Sequence, residues 1–255
     1  MDLLPVEIKV NVEGDVTAAL EALGESDGAA MTTRRIWFAE GRDGVAQGRL
    51  PLLEGGVIVR FRIDGGGGPD DLTVKLRPCE REQLVGRFSA PFESGPLAYG
   101  VEEDWSVSGR VLAASLVHDH PPGALPAAVR PEADPAAPID EVQDQFVHAC
   151  APAVRLDGLV ALGPILSAKA RDVPLGDLVV NLETWSAAGL DFLEASIRVK
   201  PKSGENADEL TARAERKQRR LNEAVRERGL TVSEHSESKT RRVLTALAEA
   251  ARQSG

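Results

Sequence analysis

Two alternating runs joined by a glycine-rich segment constrain the fold of this chain more than any other feature. The first run is VIVRFRI at residues 57–63, and the second is LTVKLR at residues 72–77. Alternation of apolar and polar side chains is typical of β-strands that bury one face. The four glycines at residues 65–68 lack Cβ atoms and suit a turn, so the whole segment predicts a β-hairpin.

The predicted hairpin concentrates positive charge on its polar face, which carries Arg60, Arg62, Lys75 and Arg77. Like charges on adjacent strands repel each other and destabilise a sheet. Such a face therefore favours a polyanionic ligand that offsets the repulsion. For one hairpin alone an ordinary solvated face is the simpler interpretation, and repetition of the pattern on other strands decides between the two.

Composition narrows the class of protein. The 255 residues carry a formal net charge of -10, which argues against a diffuse nucleic-acid-binding surface, and an aromatic content of 4% argues against base-stacking platforms. The two cysteines, Cys79 and Cys150, predict free thiols in a reducing compartment. The sequence shows neither a signal-peptide pattern nor the run of about 20 apolar residues that a membrane helix needs. We expect a soluble cytoplasmic protein that binds neither nucleic acid nor membranes.

Further strands and helices follow from the same reasoning. We predict a strand at residues 4–12, a second strand that ends near Gly41, and further strands within residues 99–116, 163–173, 177–185 and 191–200. Helices are expected at 15–24, 139–151 and in a C-terminal segment at 206–252, where Asn206 and Glu209 form a capping-box pattern. A Pro/Ala-rich insertion at about 118–138 interrupts strand patterns of one type, so residues 1–255 are predicted to form a single domain.

The polar faces of these strands repeat the pattern of the hairpin. Their cations are Lys9, Arg60, Arg62, Lys75, Arg77, Lys169 and Arg171, and their carboxylates are Glu7, Glu102, Asp104, Glu183 and Glu194. If the strands close into a barrel with helices on the apolar faces, these side chains face its interior. A charged interior is unfavourable unless a charged ligand and water occupy it. Lysine and arginine bind phosphate oxygens, and carboxylates beside them suit Mg²⁺ or Mn²⁺.

The order of these motifs resembles that of the CYTH superfamily, the triphosphate tunnel metalloenzymes. That family includes inorganic triphosphatases, thiamine triphosphatases and class IV adenylate cyclases. Its first strand carries an E-x-E-x-K motif, which is similar to Pro5-x-Glu7-x-Lys9 here. Its basic strands are similar to VRFR, TVKLR and AKAR, its late acids to Glu183 and Glu194, and its terminal Ser-Lys motif to Ser238-Lys239. The resemblance spans nearly the whole chain.

The resemblance implies an α+β fold, with an antiparallel eight-stranded β-barrel flanked by helices, and metal-assisted attack of water on the terminal phosphorus of a triphosphate. It implies phosphate binding by Lys9, Arg60, Arg62, Lys75, Arg77, Lys169 and Arg171. It assigns Mg²⁺ or Mn²⁺ to Glu7, Glu194 and Glu183, and catalysis to Glu183 and Lys75. Pro5 and Ser196 stand where the family pattern has acids, which removes two metal ligands.

Three functions are compatible with these residues. We favour a metal-dependent triphosphatase; the alternatives are a degenerate module that binds a nucleotide or polyphosphate without turnover, and an adenylate cyclase-like enzyme. The sequence names neither the triphosphate nor the oligomeric state, because side chains outside the phosphate site choose the substrate. The pairs His118-x-His120 and His148-x-Cys150 lack the spacing of a zinc site and predict loop histidines and a buried cysteine.

Overall fold

The computed structural model describes residues 3–24 and 31–254, except for the side chain of the last of these. Its strands are β1 (Val6–Glu13), β2 (Thr32–Gly41), β3 (Val57–Asp64), β4 (Asp70–Cys79), β5 (Phe92–Ser94), β6 (Leu97–Ser106), β7 (Gly109–His120), β8 (Leu159–Leu175), β9 (Leu178–Ala187), β10 (Leu190–Val199) and β11 (Thr231–Val232). Its helices are α1 (Val16–Ala22), α2 (Arg42–Ala46), α3 (Pro51–Glu54), α4 (Glu141–Cys150), α5 (Ala207–Glu227) and α6 (Lys239–Ser254).

Helix starts follow the local capping chemistry of the sequence. The Asp15 side chain accepts a hydrogen bond from the backbone of Ala18 and caps α1. Asn206 and Glu209 bond each other's backbone N–H groups in a reciprocal capping box at the start of α5. These side chains satisfy backbone donors that a helix N-terminus leaves unpaired. The predicted helices at 15–24 and 139–151 and the C-terminal helical segment are confirmed in type and close to their predicted bounds.

The strands form one hydrogen-bonded sheet in the order β11-β1-β10-β9-β8-β2-β3-β4-β7-β6-β5. A parallel pairing of β1 with β6, with Glu7 opposite Asp104, closes the order from β1 to β6 into a barrel. The predicted α+β barrel with flanking helices is confirmed. The predicted strand number is corrected: nine strands of the described residues form the closed ring, β5 and β11 lie outside it, and the closing pair is parallel rather than antiparallel.

The chain divides into two compact units. Unit 1 comprises Met1–Thr32, Glu102–Val111 and Ser167–Ser238, and its core is the apolar face of β1, β9 and β10 packed against α1 and α5. Val6, Ile8 and Val10 contribute from β1, and Leu210 and Leu221 contribute from α5. Because side chains alternate across a strand, the charged residues between these apolar positions lie on the face opposite the helices.

Unit 2 comprises Thr33–Val101, Leu112–Leu166 and Lys239–Gly255. Its core includes the alternate residues of the β3–β4 hairpin, among which Val59, Phe61 and Val74 are fully buried. Helix α4 is tied to this sheet because the Gln143 side chain donates to the carbonyl oxygens of Leu72 and Leu116. The basic residues of β3 and β4 alternate with the apolar ones and are half-buried, whereas Asp71 and Thr73 of β4 are buried.

The Pro/Ala-rich insertion begins after β7, which extends to His120, and consists of turns up to α4. It is anchored where the backbone N–H of the buried Leu125 donates to the Asp70 carboxylate. The same carboxylate accepts from the backbone of Asp64, at the other side of the glycine-rich turn. No helix within the described residues is long and apolar enough to cross a membrane.

Candidate functional site

The basic face of unit 2 is built by β2, β3 and β4. The register of the hairpin places Arg60 opposite Thr73, Arg62 opposite Asp71, and Lys75 opposite Ile58. No cation of β3 therefore lies directly opposite a cation of β4 within this register. The expectation that like charges oppose each other on the two strands is therefore corrected. The basic residues are staggered, and this lowers the repulsion between them.

Asp71 organises three arginines on this face. Its Oδ2 accepts a hydrogen bond from Nη1 of Arg34 at 2.8 Å and lies 3.8 Å from Nη1 of Arg62. The Thr73 hydroxyl donates to Oδ1 of Asp71 at 3.2 Å and accepts from Nη2 of Arg60 at 3.3 Å. Because Asp71 and Thr73 are buried while the three arginines are partly exposed, the buried pair holds the guanidinium groups in place on an accessible face.

Lys75 and Arg77 continue the basic face along β4. Both are half-buried, and Lys75 is paired in register with Ser115 of β7 on one side and Ile58 of β3 on the other. Unit 2 thus brings together the predicted phosphate ligands Arg60, Arg62, Lys75 and Arg77 on two adjacent strands. It adds Arg34, which the sequence analysis did not assign.

Unit 1 carries a mixed cluster of acids and bases, which we call the Glu7 cluster: Glu7, Lys9, Glu102, Asp104 and Arg198. Lys9 Nζ donates to Oδ1 of the fully buried Asp104 at 2.6 Å. Arg198 Nη1 lies 2.9 Å from Oε2 of Glu102 and 3.8 Å from Oε2 of Glu7. The cations and carboxylates of this cluster therefore bond one another.

Burial is the main influence on Glu7. Its removal from water raises the pKa of the Glu7 carboxyl above its ordinary value, and the neighbouring Glu102 and Asp104 act in the same direction. Lys9 and Arg198 oppose that rise because a positive charge favours the ionised carboxylate. The two cations thus compensate the burial of an acid that the family resemblance assigns to a metal.

A second carboxylate pair in unit 1 lies on β9 and β10, where Glu183 and Glu194 are directly opposite each other. Oε1 of Glu183 accepts hydrogen bonds from the Ser167 hydroxyl at 3.1 Å and from Nε1 of Trp185 at 3.0 Å. These two donors fix the orientation of the Glu183 carboxylate. On β8, Lys169 is half-buried and Arg171 is exposed.

The predicted metal ligands divide into two groups. In the β1–β10 register Glu7 is opposite Arg198, whereas Glu194 is opposite Asn11, four residues farther along β10. At 3.3 Å per residue this is a separation of about 13 Å between backbone positions. Within residues 3–24 and 31–254 no three His, Cys, Asp or Glu side chains are arranged to hold a metal ion.

The Glu183–Glu194 pair nevertheless fits one Mg²⁺ or Mn²⁺. Magnesium is commonly bound by one or two protein carboxylates, with substrate phosphates and water completing its coordination. Glu7 does not fit that ion, because the register separates it from the pair and its charge is met by Arg198. By these criteria Glu183 and Glu194, rather than Glu7, are the residues that could hold a metal.

Three residues of the two faces escaped the sequence analysis. Asp71 lies between the predicted glycine-rich turn and the second strand of the hairpin. Arg34 and Arg198 lie on predicted strands but were given no place in the site. Strand parity was the signal for Arg34 and Arg198. The contacts of all three depend on register, which the pattern of one strand does not contain.

The predicted buried cysteine is confirmed, but the predicted loop histidines are corrected: His118 and His120 lie at the end of β7, and His148 lies in α4. The rings of His118 and His120 are 4.1 Å apart between centroids, and no third metal-binding side chain joins them in the part of the chain that the structure describes. Cys79 and Cys150 are both buried and both free. Burial raises the pKa of the Cys79 thiol to about 11, so it stays protonated at neutral pH.

The comparisons with known proteins find likeness in structure and none in sequence, since no family model and no curated protein matches this chain. One similar structure is HpAC1 from Hippeastrum, which is assigned as an adenylyl cyclase and described as having a dominant triphosphatase activity. It aligns with a TM-score of 0.60 and 15% sequence identity, over 95% of this chain and 96% of HpAC1. A protein of Bacillus halodurans assigned as an adenylate cyclase aligns with a TM-score of 0.51 and 14% identity, over 94% and 98%. At such identities the likeness shows the fold alone, an α+β barrel.

Proposed function

We propose that this protein is a metal-dependent triphosphatase, which hydrolyses inorganic triphosphate or a nucleoside or thiamine triphosphate. The observation that carries the proposal is the set of three arginines held by Asp71 and Thr73 on one face of unit 2. Fixed guanidinium groups on a partly exposed face match phosphate oxygens, because arginine binds them with paired hydrogen bonds. The fold shared with HpAC1 is consistent with this substrate class.

The proposal gives the basic residues two tasks. Arg60, Arg62 and Arg77 bind the phosphate chain, and Lys75 stabilises the negative charge that develops on the transferred phosphoryl group. Lys9, Lys169 and Arg171 of unit 1 are proposed as further phosphate ligands. Lys9 in this role would share its ammonium group between the ligand and Asp104.

The carboxylates of β9 and β10 have a separate task in the proposal. A divalent cation, when bound by Glu183 and Glu194, supplies Lewis acidity toward the phosphate oxygens. The donors Ser167 and Trp185 hold Glu183 in one orientation, which suits it to orient the attacking water or bind its proton. Glu183 and Lys75 are thus the proposed catalytic residues.

Phosphate release from tripolyphosphate, ATP and thiamine triphosphate, each with Mg²⁺ and with Mn²⁺, tests the proposal directly. We expect release from at least one of them, and its loss on chelation with EDTA. Tight binding without release from any substrate would contradict hydrolysis and favour a binding module, an alternative favoured by the engagement of Glu7 with Arg198. Cyclic AMP formed from ATP, separated by chromatography, would instead identify a cyclase.

A further inference from the structure

We infer that Arg198 serves as a built-in cation that takes the place of a metal ion at Glu7. The family resemblance assigns Glu7 to a metal, but in this chain its carboxylate shares the Arg198 guanidinium with Glu102. The inference deepens the proposed function by limiting its metal requirement to Glu183 and Glu194. The consequence of the inference for catalysis rests on the proposed function, whereas its test measures Mn²⁺ binding and does not depend on hydrolysis.

The register of unit 1 determines the position of Arg198. It lies opposite Glu7 on the antiparallel β1–β10 pair, and β1 is flanked on its other side by β6, which carries Glu102. The Arg198 side chain therefore extends from β10 past β1 to Glu102 of β6, where Nη1 is 2.9 Å from the carboxylate. One guanidinium bridges acids on two other strands, as a bound cation would.

The charges of the Glu7 cluster support this role. Its three carboxylates, Glu7, Glu102 and Asp104, lie close together, and Glu102 and Asp104 both raise the pKa of Glu7. The side chains of Glu7 and Glu102 are 16% and 17% exposed, and that of Asp104 is fully buried. Carboxylates this close and this poorly hydrated repel each other, and a cation between them removes that repulsion.

The competing interpretation is an ordinary surface ion pair, since the Arg198 side chain is 47% exposed. Exposed pairs contribute little, and their removal has no consequence for metal binding. Unit 1 offers a matched control in Arg110, which is 48% exposed and pairs with Glu215 at the same range, 2.8 Å. The two arginines differ in their surroundings: Arg198 bridges Glu102 and Glu7, whereas Arg110 pairs with Glu215 and stacks on the Trp105 ring at 3.7 Å.

The test is a titration of the full chain with Mn²⁺ alone, in which free and bound Mn²⁺ are separated by electron paramagnetic resonance. We expect Arg198→Ala to bind one Mn²⁺ more per chain than the wild type. The affinity of the site at Glu7 for Mn²⁺ should rise about tenfold or more over that in the wild type, because oxygen sites gain affinity with ligand charge. Arg110→Ala and Arg198→Lys should bind as the wild type does. The gained ion should be lost in Arg198→Ala/Glu7→Gln.

Two results would overturn the inference. One is a folded Arg198→Ala, by circular dichroism, that binds no additional Mn²⁺. The other is Mn²⁺ binding by the wild type that is lost in Glu7→Gln, which would show that Glu7 is a metal ligand in the presence of Arg198. This comparison tests the inference even if Arg198→Ala does not fold. Since no triphosphate is present, a failure of the proposed hydrolysis leaves both results interpretable.

Discussion

The polar faces of the two units use the same residue types to opposite effect. In unit 2 the carboxylate of Asp71 contacts Arg34 and Arg62 directly and Arg60 through the Thr73 hydroxyl, on a partly exposed face. In unit 1 the cations Lys9 and Arg198 of the Glu7 cluster bond its carboxylates Asp104 and Glu102. The difference teaches that the net charge of -10 says little about function, because the basic face is local to β2, β3 and β4.

The largest expected effect breaks the basic face of unit 2. Arg62→Ala should weaken triphosphate binding about 100-fold, because a charge-assisted hydrogen bond of up to about 3 kcal/mol is lost. Isothermal titration with tripolyphosphate measures it. Arg35→Ala is the control, since Arg35 is exposed and is paired in register with Ile63, on the other face of the hairpin from Arg62. Equal losses in the two variants would contradict the assignment.

The next effect separates catalysis from binding. Glu194→Gln should lower kcat about thirtyfold, as expected for weakened metal binding, while tripolyphosphate binds within about threefold of wild-type affinity because unit 2 is intact. Asp191→Asn is the control, since Asp191 is exposed on the same strand but off the Glu194 face. A large loss of binding with unchanged kcat would reverse the roles given to the two units.

A smaller effect compares the buried acids of the two faces. Asp104→Asn should lower the free energy of unfolding by about 1.5 kcal/mol, since it removes a buried carboxylate charge that bonds Lys9 at 2.6 Å. Asp71→Asn should lower it by about 1 kcal/mol, because its arginines are more exposed. Urea unfolding measures both. A larger loss for Asp71→Asn would show that the basic face depends more on its acid.

The smallest effect lies away from the polar faces, at the start of α5. Hydrogen bonds from Arg213 lower the pKa of Glu205 to about 2 from an ordinary 4.5. A carboxyl with a lowered pKa stabilises the fold above pH 4.5, and this contribution is lost as the pH falls toward 2. Arg213→Ala should therefore lower Tm by about 2 °C or less at neutral pH, and by less still near pH 3. A constant difference across this range would exclude the linkage.

Local sequence patterns were sufficient to predict the strands of the hairpin and the start of α5. Alternation predicted the hairpin strands because a half-buried strand alternates by necessity, and Asn206 with Glu209 predicted the start of α5 because capping involves neighbours in sequence. The same alternation assigned Arg60, Arg62 and Lys75 to one face. The strand number of the barrel was not predictable, since β8 runs for 17 residues and the β1–β6 pairing joins segments nearly 100 residues apart.

The sequence by itself determined which side chains share the polar face of each strand, because parity along a strand is a local property. Only the tertiary structure decided which of those side chains touch. The pairing register places Arg198 opposite Glu7 and separates Glu7 from Glu194 by four residues along β10. It also places Asp71 opposite Arg62. Register follows from how distant strands pack together, so the partner of each charge depends on contacts that no single segment encodes.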